Sequence, residues 1–367
     1  MTSKDKGRIA FVVTSLRDGD DDPSIAWMGW FADAGYAVTA IPLLAGPVSS
    51  SLHSSVDVTE NAAVHGHKAK ISAVSALIGS SAFGAVVGVR TESNLVVLEA
   101  MNGHSSPPLA VVTEENPLSL FLDSESRTRR RQVRDARRAY RRADLAISAS
   151  HPIAAELTAA FGVPASRSLV VPRPVLAQSR EDATFAGPPE GDGPIHLVLT
   201  CELTARTDAD VVVHAAKSLG DRGIRSEVLS LRGGPREAAL RTLADTLGVP
   251  FSIRHDVGED DWRLPAGSVV VLPSRSEGVG ADLVQATSRA VPATAISTAL
   301  GVADAIIPGV TGELALDDHP LSVADAVERA SKIKVTDVGG WIDRFTPRFS
   351  GALLERAVQY GHGLAER

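Results

Sequence analysis

The sequence predicts an α/β protein of doubly wound parallel sheets, divided into two domains. Short apolar strands alternate with helical segments in two separate series, the pattern of sheets covered by helices on both faces. Val269, Val270, Val271 and Leu272 run without polar alternation, as in a strand buried on both sides. Between the two series lies 178–194, QSREDATFAGPPEGDGP, whose glycines, prolines and acidic residues read as a linker. A chain of 367 residues is long enough for two domains, each with its own core.

Arg8 to Leu16 reads as a first strand, Ser24 to Ala34 as a helix and Tyr36 to Leu44 as a second strand, which opens a β-α-β unit. Strands follow at Ala85 to Val89, Leu109 to Thr113 and Leu145 to Ser148, and a second series runs from Ile195 to about Ala330. The expected division is a first domain over 1–177, the linker, a second domain over 195–340, and a closing helical segment over 341–367. The loop after the first strand, Arg17 to Pro23, carries four aspartates. It fails as a calcium loop, because Pro23 stands where a turn glycine is needed and Gly29 where a chelating glutamate is needed. It is expected to be a solvated loop with Asp22 or Ser24 capping the helix.

Hydrophobic residues make up 44% and charged residues 22%, the balance of a soluble globular protein, with a formal net charge of -7. No apolar run approaches the roughly 20 residues needed to cross a bilayer, and Ile9 to Val13 is too short for a signal sequence. The single cysteine, Cys201, excludes an internal disulfide framework and a Cys-based zinc cluster, and the ten histidines show no metal-binding spacing. The expectation is a cytoplasmic protein that uses no metal and no cofactor.

One stretch departs from the acidic balance. Arg127 to Arg142, RTRRRQVRDARRAYRR, places Arg127, Arg130, Arg131, Arg134, Arg137, Arg138 and Arg141 on one stripe of a helix and Val133, Ala136, Tyr140 and Ala143 on another. Such a stripe suits anionic lipid headgroups at the inner face of a membrane, a phosphorylated acceptor or an acidic protein partner. It equally suits a solvated face with ion pairs through Asp135 and Asp144. Nucleic acid is disfavoured, since only Tyr140 interleaves the basic residues.

After the apolar strand comes Pro273-Ser274-Arg275-Ser276-Glu277-Gly278-Val279-Gly280, with a helix expected from near Ala281 to before Pro292. Gly278 and Gly280 let a ligand approach closely, and the amides of a first helical turn suit a phosphate or a sugar hydroxyl. The same pattern also serves an ordinary tight strand-to-helix turn. Leu272 to Gly280, then Ala290-Val291-Pro292 and Pro308-Gly309-Val310-Thr311-Gly312, resemble the donor-site signature of family-4 glycosyltransferases, the glycosyl transferases group 1. Arg142 to Ser148, Phe161-Gly162-Val163-Pro164 and Val170 to Val175 resemble the end of the first domain in that family. The resemblance implies the GT-B fold, two Rossmann-like domains facing each other across a cleft. It also implies a nucleotide-sugar substrate held mainly by the second domain. In the family signature two glutamates are spaced E-x7-E. The first, which orients the donor sugar, matches Glu277; the second, which holds the ribose, falls on Gln285. Gly278, Val279 and Gly280 then lie at the sugar-phosphate end.

Other positions depart from the resembled pattern. The family's Gly-Arg-Leu-x-x-x-Lys-Gly stretch, whose Arg and Lys neutralise the donor diphosphate, reads Cys201-Glu202-Leu203-Thr204-Ala205-Arg206-Thr207-Asp208. Arg206 is the nearest substitute for the missing cations. Asp282 adds a carboxylate to the first turn of the donor-site helix. In Thr113-Glu114-Glu115 a glutamate fills the place of a family histidine, and Arg173-Pro174 replaces Asn-Pro. Two functions follow from the resemblance. One is a retaining, metal-independent hexosyltransferase acting on an envelope, glycan or small-molecule acceptor, with the Arg130, Arg134 and Arg138 face toward acceptor or membrane. The other is an inactive GT-B pseudo-enzyme that serves as a binding or stabilising partner subunit.

Overall fold

The computed structural model describes residues 6–17, 23–120, 126–176, 193–205, 207–254, 262 and 264–365. The aspartates at 18–22, most of the 178–194 linker and Arg206 lie outside the described residues. The chain forms two compact units, one of Met1–Ala177 with Arg344–Arg367, the other of Gln178–Asp343.

In the first unit the elements run β1 (Arg8–Val13), α1 (Pro23–Asp33), β2 (Ala37–Pro42), β3 (Asp57–Val58), α2 (His67–Ser80), β4 (Phe83–Val89) and α3 (Arg90–Ala100). They continue with β5 (Leu109–Glu114), α4 (Arg127–Ala139), β6 (Leu145–Ser148), α5 (His151–Phe161) and β7 (Ser168–Val170). The strands form one sheet in the order β3-β2-β1-β4-β5-β6-β7, every pairing parallel. Alternate residues of β1 explain why both faces are covered. Phe11 and Val13 pack with Trp27 and Phe31 of α1, while Ala10 and Val12 pack with Val74 and Ile78 of α2.

The second unit holds β8 (Ile195–Leu199), α6 (Ala209–Asp221), β9 (Ser226–Ser230), α7 (Glu237–Leu247), β10 (Phe251–Ile253) and β11 (Ser268–Leu272). Then come α8 (Ala281–Ser288), β12 (Ala293–Ile296), β13 (Gly312–Ala315), α9 (Pro320–Ala330) and α10 (Gly339–Ile342). Its parallel sheet has the order β10-β9-β8-β11-β12-β13. All five residues of β11 are buried, with Val269 and Val271 against a layer that includes Val212 of α6 and Val327 of α9. The unbroken apolar run therefore reflects a central strand with helices on both sides.

The last helix, α11 (Pro347–Ala365), belongs to the first unit and packs on α1. Ser350 Oγ accepts from Trp27 Nε1 at 2.8 Å and donates to the carbonyl of Pro172 at 2.6 Å. Glu355 collects Lys6 Nζ at 2.8 Å, Trp30 Nε1 at 3.1 Å and the Tyr36 hydroxyl at 3.3 Å. Ser24 does not cap α1, because Pro23 takes the first helical position and puts Ser24 inside the helix. No helix among the described residues is long and apolar enough to cross a membrane.

Candidate functional site

In open parallel sheets a ligand sits past the carboxyl ends of the strands, where the strand order reverses. In the second unit that point lies between β8 and β11, and the loops that follow them are 200–208 and 273–280. The loop after β11 is shaped by two glycines. Gly280, the residue before α8, has φ +76°, and a side chain there would meet Leu272 and Leu283 within 3 Å. A Cβ on Gly301 would lie 1.6 Å from the Gly278 carbonyl oxygen, so 277–278 and 299–301 touch backbone to backbone. Glu277 N donates to the Ala299 carbonyl at 3.2 Å and Glu277 forms a bridge with Leu300. Leu300 itself has φ 56° and ψ −73°, a backbone conformation that costs a non-glycine residue of order 1 kcal/mol or more and tends to mark a functional loop. Gly278, Val279 and Gly280 are buried, Glu277 is half-buried, and no side chain caps α8.

Around this loop the charges gather. Burial pushes the Cys201 thiol up to about 12; the Asp282 and Glu277 carboxylates push the same way, while Arg232 opposes them. These four side chains therefore share one electrostatic neighbourhood past β8, β9 and β11, and burial favours the neutral thiol of Cys201. Arg232 is an exposed loop cation with no helical or strand periodicity to mark it in the sequence. Its signal was the placement of Arg232-Gly233-Gly234-Pro235 just after β9. Leu203 N donates to Gly233 O at 3.0 Å, which ties that turn to the loop after β8. Glu202 is exposed at the position of the family arginine. Thr207, at the lysine position, is spent on the loop. Its Oγ1 accepts from Thr204 N at 3.1 Å and donates to Thr204 O at 2.9 Å. Asp208, at the following glycine position, takes the left-handed conformation itself, with φ 43° and ψ 34°. Its carboxylate makes no cap bond to α6 and pairs instead with Arg275, whose Nε also lies 3.3 Å from Asp318.

Gln285, at the ribose position, is half-buried on α8, and its Oε1 accepts from Arg289 Nη1. Arg289 is itself buried and stacks 4.7 Å from the Trp262 ring centroid. Among the described residues no three His, Cys, Asp or Glu side chains gather as metal ligands.

In the first unit two departures from the resembled pattern turn out to be one. Glu115, buried at the end of β5, lies 3.7 Å from Arg173 and 3.4 Å from Arg90. Glutamate in place of histidine and arginine in place of asparagine thus form an ion pair, and a buried carboxylate needs such partners. Its neighbour Glu114 is wholly buried, and burial raises its carboxyl to about 7 against the opposing hydrogen bonds of Tyr140, Thr91 and Asn94 and the charge of Arg129. Tyr140 donates to Glu114, and Asn94 Nδ2 lies 3.0 Å from the same oxygen.

Helix α4 and the 3-10 turn Tyr140–Arg142 that follows it carry the arginines on one face as the sequence periodicity predicts. Arg127, Arg130, Arg131, Arg134, Arg137, Arg138 and Arg141 are exposed, while Val133, Ala136, Tyr140 and Ala143 are buried. Asp135 meets Arg131 at 3.6 Å and Arg138 at 4.0 Å, whereas Asp144 accepts from the backbone of Ala110 at 2.8 Å. Arg129 alone turns partly inward, donating to Thr91 Oγ1 at 2.8 Å.

Residues 194–332 match the family model described as Glycosyl transferases group 1. No curated protein sequence matches the chain. Among solved structures it is similar to the lipopolysaccharide outer core galactosyltransferase WaaB in its apo form, with a TM-score of 0.76 and 15% identity over 96% of this chain and 99% of that one. It is also similar to sucrose-phosphate synthase from Thermosynechococcus elongatus, with a TM-score of 0.66 and 14% identity over 98% of both chains. Anabaena Alr3699/HepE in complex with UDP superposes with a TM-score of 0.64 and 15% identity, again over 98% of both. The layout of two parallel α/β units and these likenesses show that the chain has the GT-B fold, and residues 194–332 of its second unit match the model of the glycosyl transferases group 1.

Proposed function

We propose that the protein transfers a hexose from a nucleotide sugar to an acceptor with retention of configuration, and that the loop of Glu277 to Gly280 is its donor site. The observation that carries this reading is the backbone contact of Gly278 with Gly301, which together with Gly280 holds the uncapped amino end of α8 beside Glu277. Such an end presents free backbone amides to one phosphate group. Glu277 orients the sugar, the Gly278 to Gly280 backbone takes the sugar-phosphate end, and Gln285, steadied by Arg289, accepts from the ribose. Arg232 contributes positive charge toward the diphosphate, and Arg206, which lies outside the described residues, is the further candidate from the sequence; the charge is met by side chains rather than by a metal in this reading. A similar structure was solved in complex with UDP and glucose, which favours a uridine donor. The acceptor belongs to an envelope glycan, another glycan or a small molecule, and the exposed arginines of α4 hold the protein against an anionic membrane face.

A second reading is favoured by the charge balance. Glu202 stands in place of an arginine, Thr207 is consumed by its own loop, and Arg275 is neutralised by two aspartates. These features suit a pseudo-enzyme that binds or stabilises a partner.

Titration of the full chain with UDP, GDP, ADP and their hexose derivatives, followed by an assay of nucleotide release, decides between the two. The transferase reading expects binding and release, with release lost in Glu277→Gln while binding of the nucleotide persists. Release that survives Glu277→Gln would remove the role given to Glu277, whereas no binding, or binding without release, would favour the partner role.

A further inference from the structure

The diphosphate of a nucleotide sugar needs cations, and the two positions expected to supply them hold Glu202 and Thr207. Arg275 sits on the donor-site loop two residues before Glu277. Its guanidinium reaches across to the carboxylate of Asp208, the residue directly after Thr207 and directly before α6, and lies 3.3 Å from Asp318 in the loop before α9. The positive charge missing from one loop is thus delivered to the same place from another. We propose that Arg275 is a further diphosphate-binding cation of this site, and that Asp208 and Asp318 hold it in place and compete with the diphosphate for it. This rests on the donor-site reading above and adds to it a residue and a mode of control.

Exposure supports an arginine that is held and yet available. The side chains of Arg275 and Asp318 are 49% and 48% exposed, and Asp208 is 26% exposed. Ion pairs this open to water are weak and salt-screened, whereas a diphosphate offers several charged oxygens to the planar fork of one guanidinium. Asp208 also accepts a left-handed backbone, which aspartate tolerates better than most residues, and that conformation puts its carboxylate outside the α6 cap. The half-exposed pair explains how a site with inverted charge in its usual loop still receives an anion.

Calorimetric titration with UDP, GDP and ADP, and in parallel with uridine, guanosine and adenosine, tests this on the full chain. Arg275→Ala is expected to weaken the preferred diphosphate roughly tenfold and to leave its nucleoside unchanged, since one charge-assisted contact is lost. Arg275→Gln, which keeps the length of the side chain, should behave alike. Asp318→Asn and Asp208→Asn are expected to strengthen diphosphate binding by about two- to fivefold, as weak competing pairs are removed. That gain should vanish when Arg275 is also alanine, because the competition runs through the same guanidinium. Diphosphate binding within twofold of wild type in Arg275→Ala would overturn the proposal, as would Asp variants that gain equally without Arg275. If the nucleoside still binds in those cases, the donor-site reading stands while the role of Arg275 falls. If the wild type binds no nucleoside and no nucleotide, both fall together.

Discussion

Replacing Glu114 with glutamine should make the first unit more stable at pH 8 while changing little at pH 5. Its carboxyl, at about 7 in the fold against an ordinary 4.5, keeps its proton over a window in which the unfolded chain has released it. The native state therefore binds more protons between those two values. The stability this supplies is fully present below pH 4.5 and is lost as pH rises through 7. At about 1.4 kcal/mol per tenfold change in proton affinity, the whole difference approaches about 3 kcal/mol. Glutamine is neutral at every pH and keeps an acceptor for Tyr140 and Asn94. It gives up the charge-assisted bond from Tyr140, so the net gain at pH 8 should be about 1 to 3 kcal/mol. Two units need not unfold together, so hydrogen exchange across β5 in graded urea at pH 5, 6.5 and 8 is the proper assay. Parallel pH profiles for the wild type and Glu114→Gln would refute the reasoning and mean that Glu114 is ionised throughout.

Gly301→Ala should destabilise the second unit by roughly 3 kcal/mol, because the new methyl would overlap the Gly278 carbonyl; a melting temperature lowered by less than about 2 °C would show that the loops part easily. Glu202→Arg should strengthen binding of the preferred nucleotide by about three- to tenfold, whereas Thr207→Lys should gain less, since it also removes two hydrogen bonds that close its loop. Titration of the two variants side by side checks this, and an equal gain would deny Thr207 its structural role. Replacing Arg130, Arg134 and Arg138 by alanine should abolish binding to vesicles rich in acidic lipid at low salt and leave melting unchanged. Equal binding of the wild type to neutral vesicles would exclude an electrostatic surface.

Some of the site was legible in the residues and some was not. The strand, the glycines and the start of α8 follow from an apolar run ending in a Gly-x-Gly turn. The two faces of α4 follow from the helical period. The partnership of Glu115 with Arg173 was hidden, because 58 positions separate residues that β5 and the strand end after β7 bring together. Read singly, each looked like a lost function; together they are a buried charge and its partner. Arg232 and Arg275 are hidden in the same way. An arginine in a loop has no periodicity to betray it, and its role depends on which loop lies opposite.

The sequence by itself determined what is local or periodic: parallel strands from unbroken apolar runs, helices from their spacing, the basic stripe, and the signature that marks the second unit. Backbone sterics and burial act on neighbours along the chain, so composition and spacing record them directly. Only the tertiary structure decided where the charges go. It spends Thr207 on its own loop, turns Asp208 toward Arg275, seals Glu115 between two arginines and withdraws the proton of Glu114 from water. Electrostatic energies depend on distance and on exclusion of solvent, and both are properties of the folded chain rather than of the order of its residues.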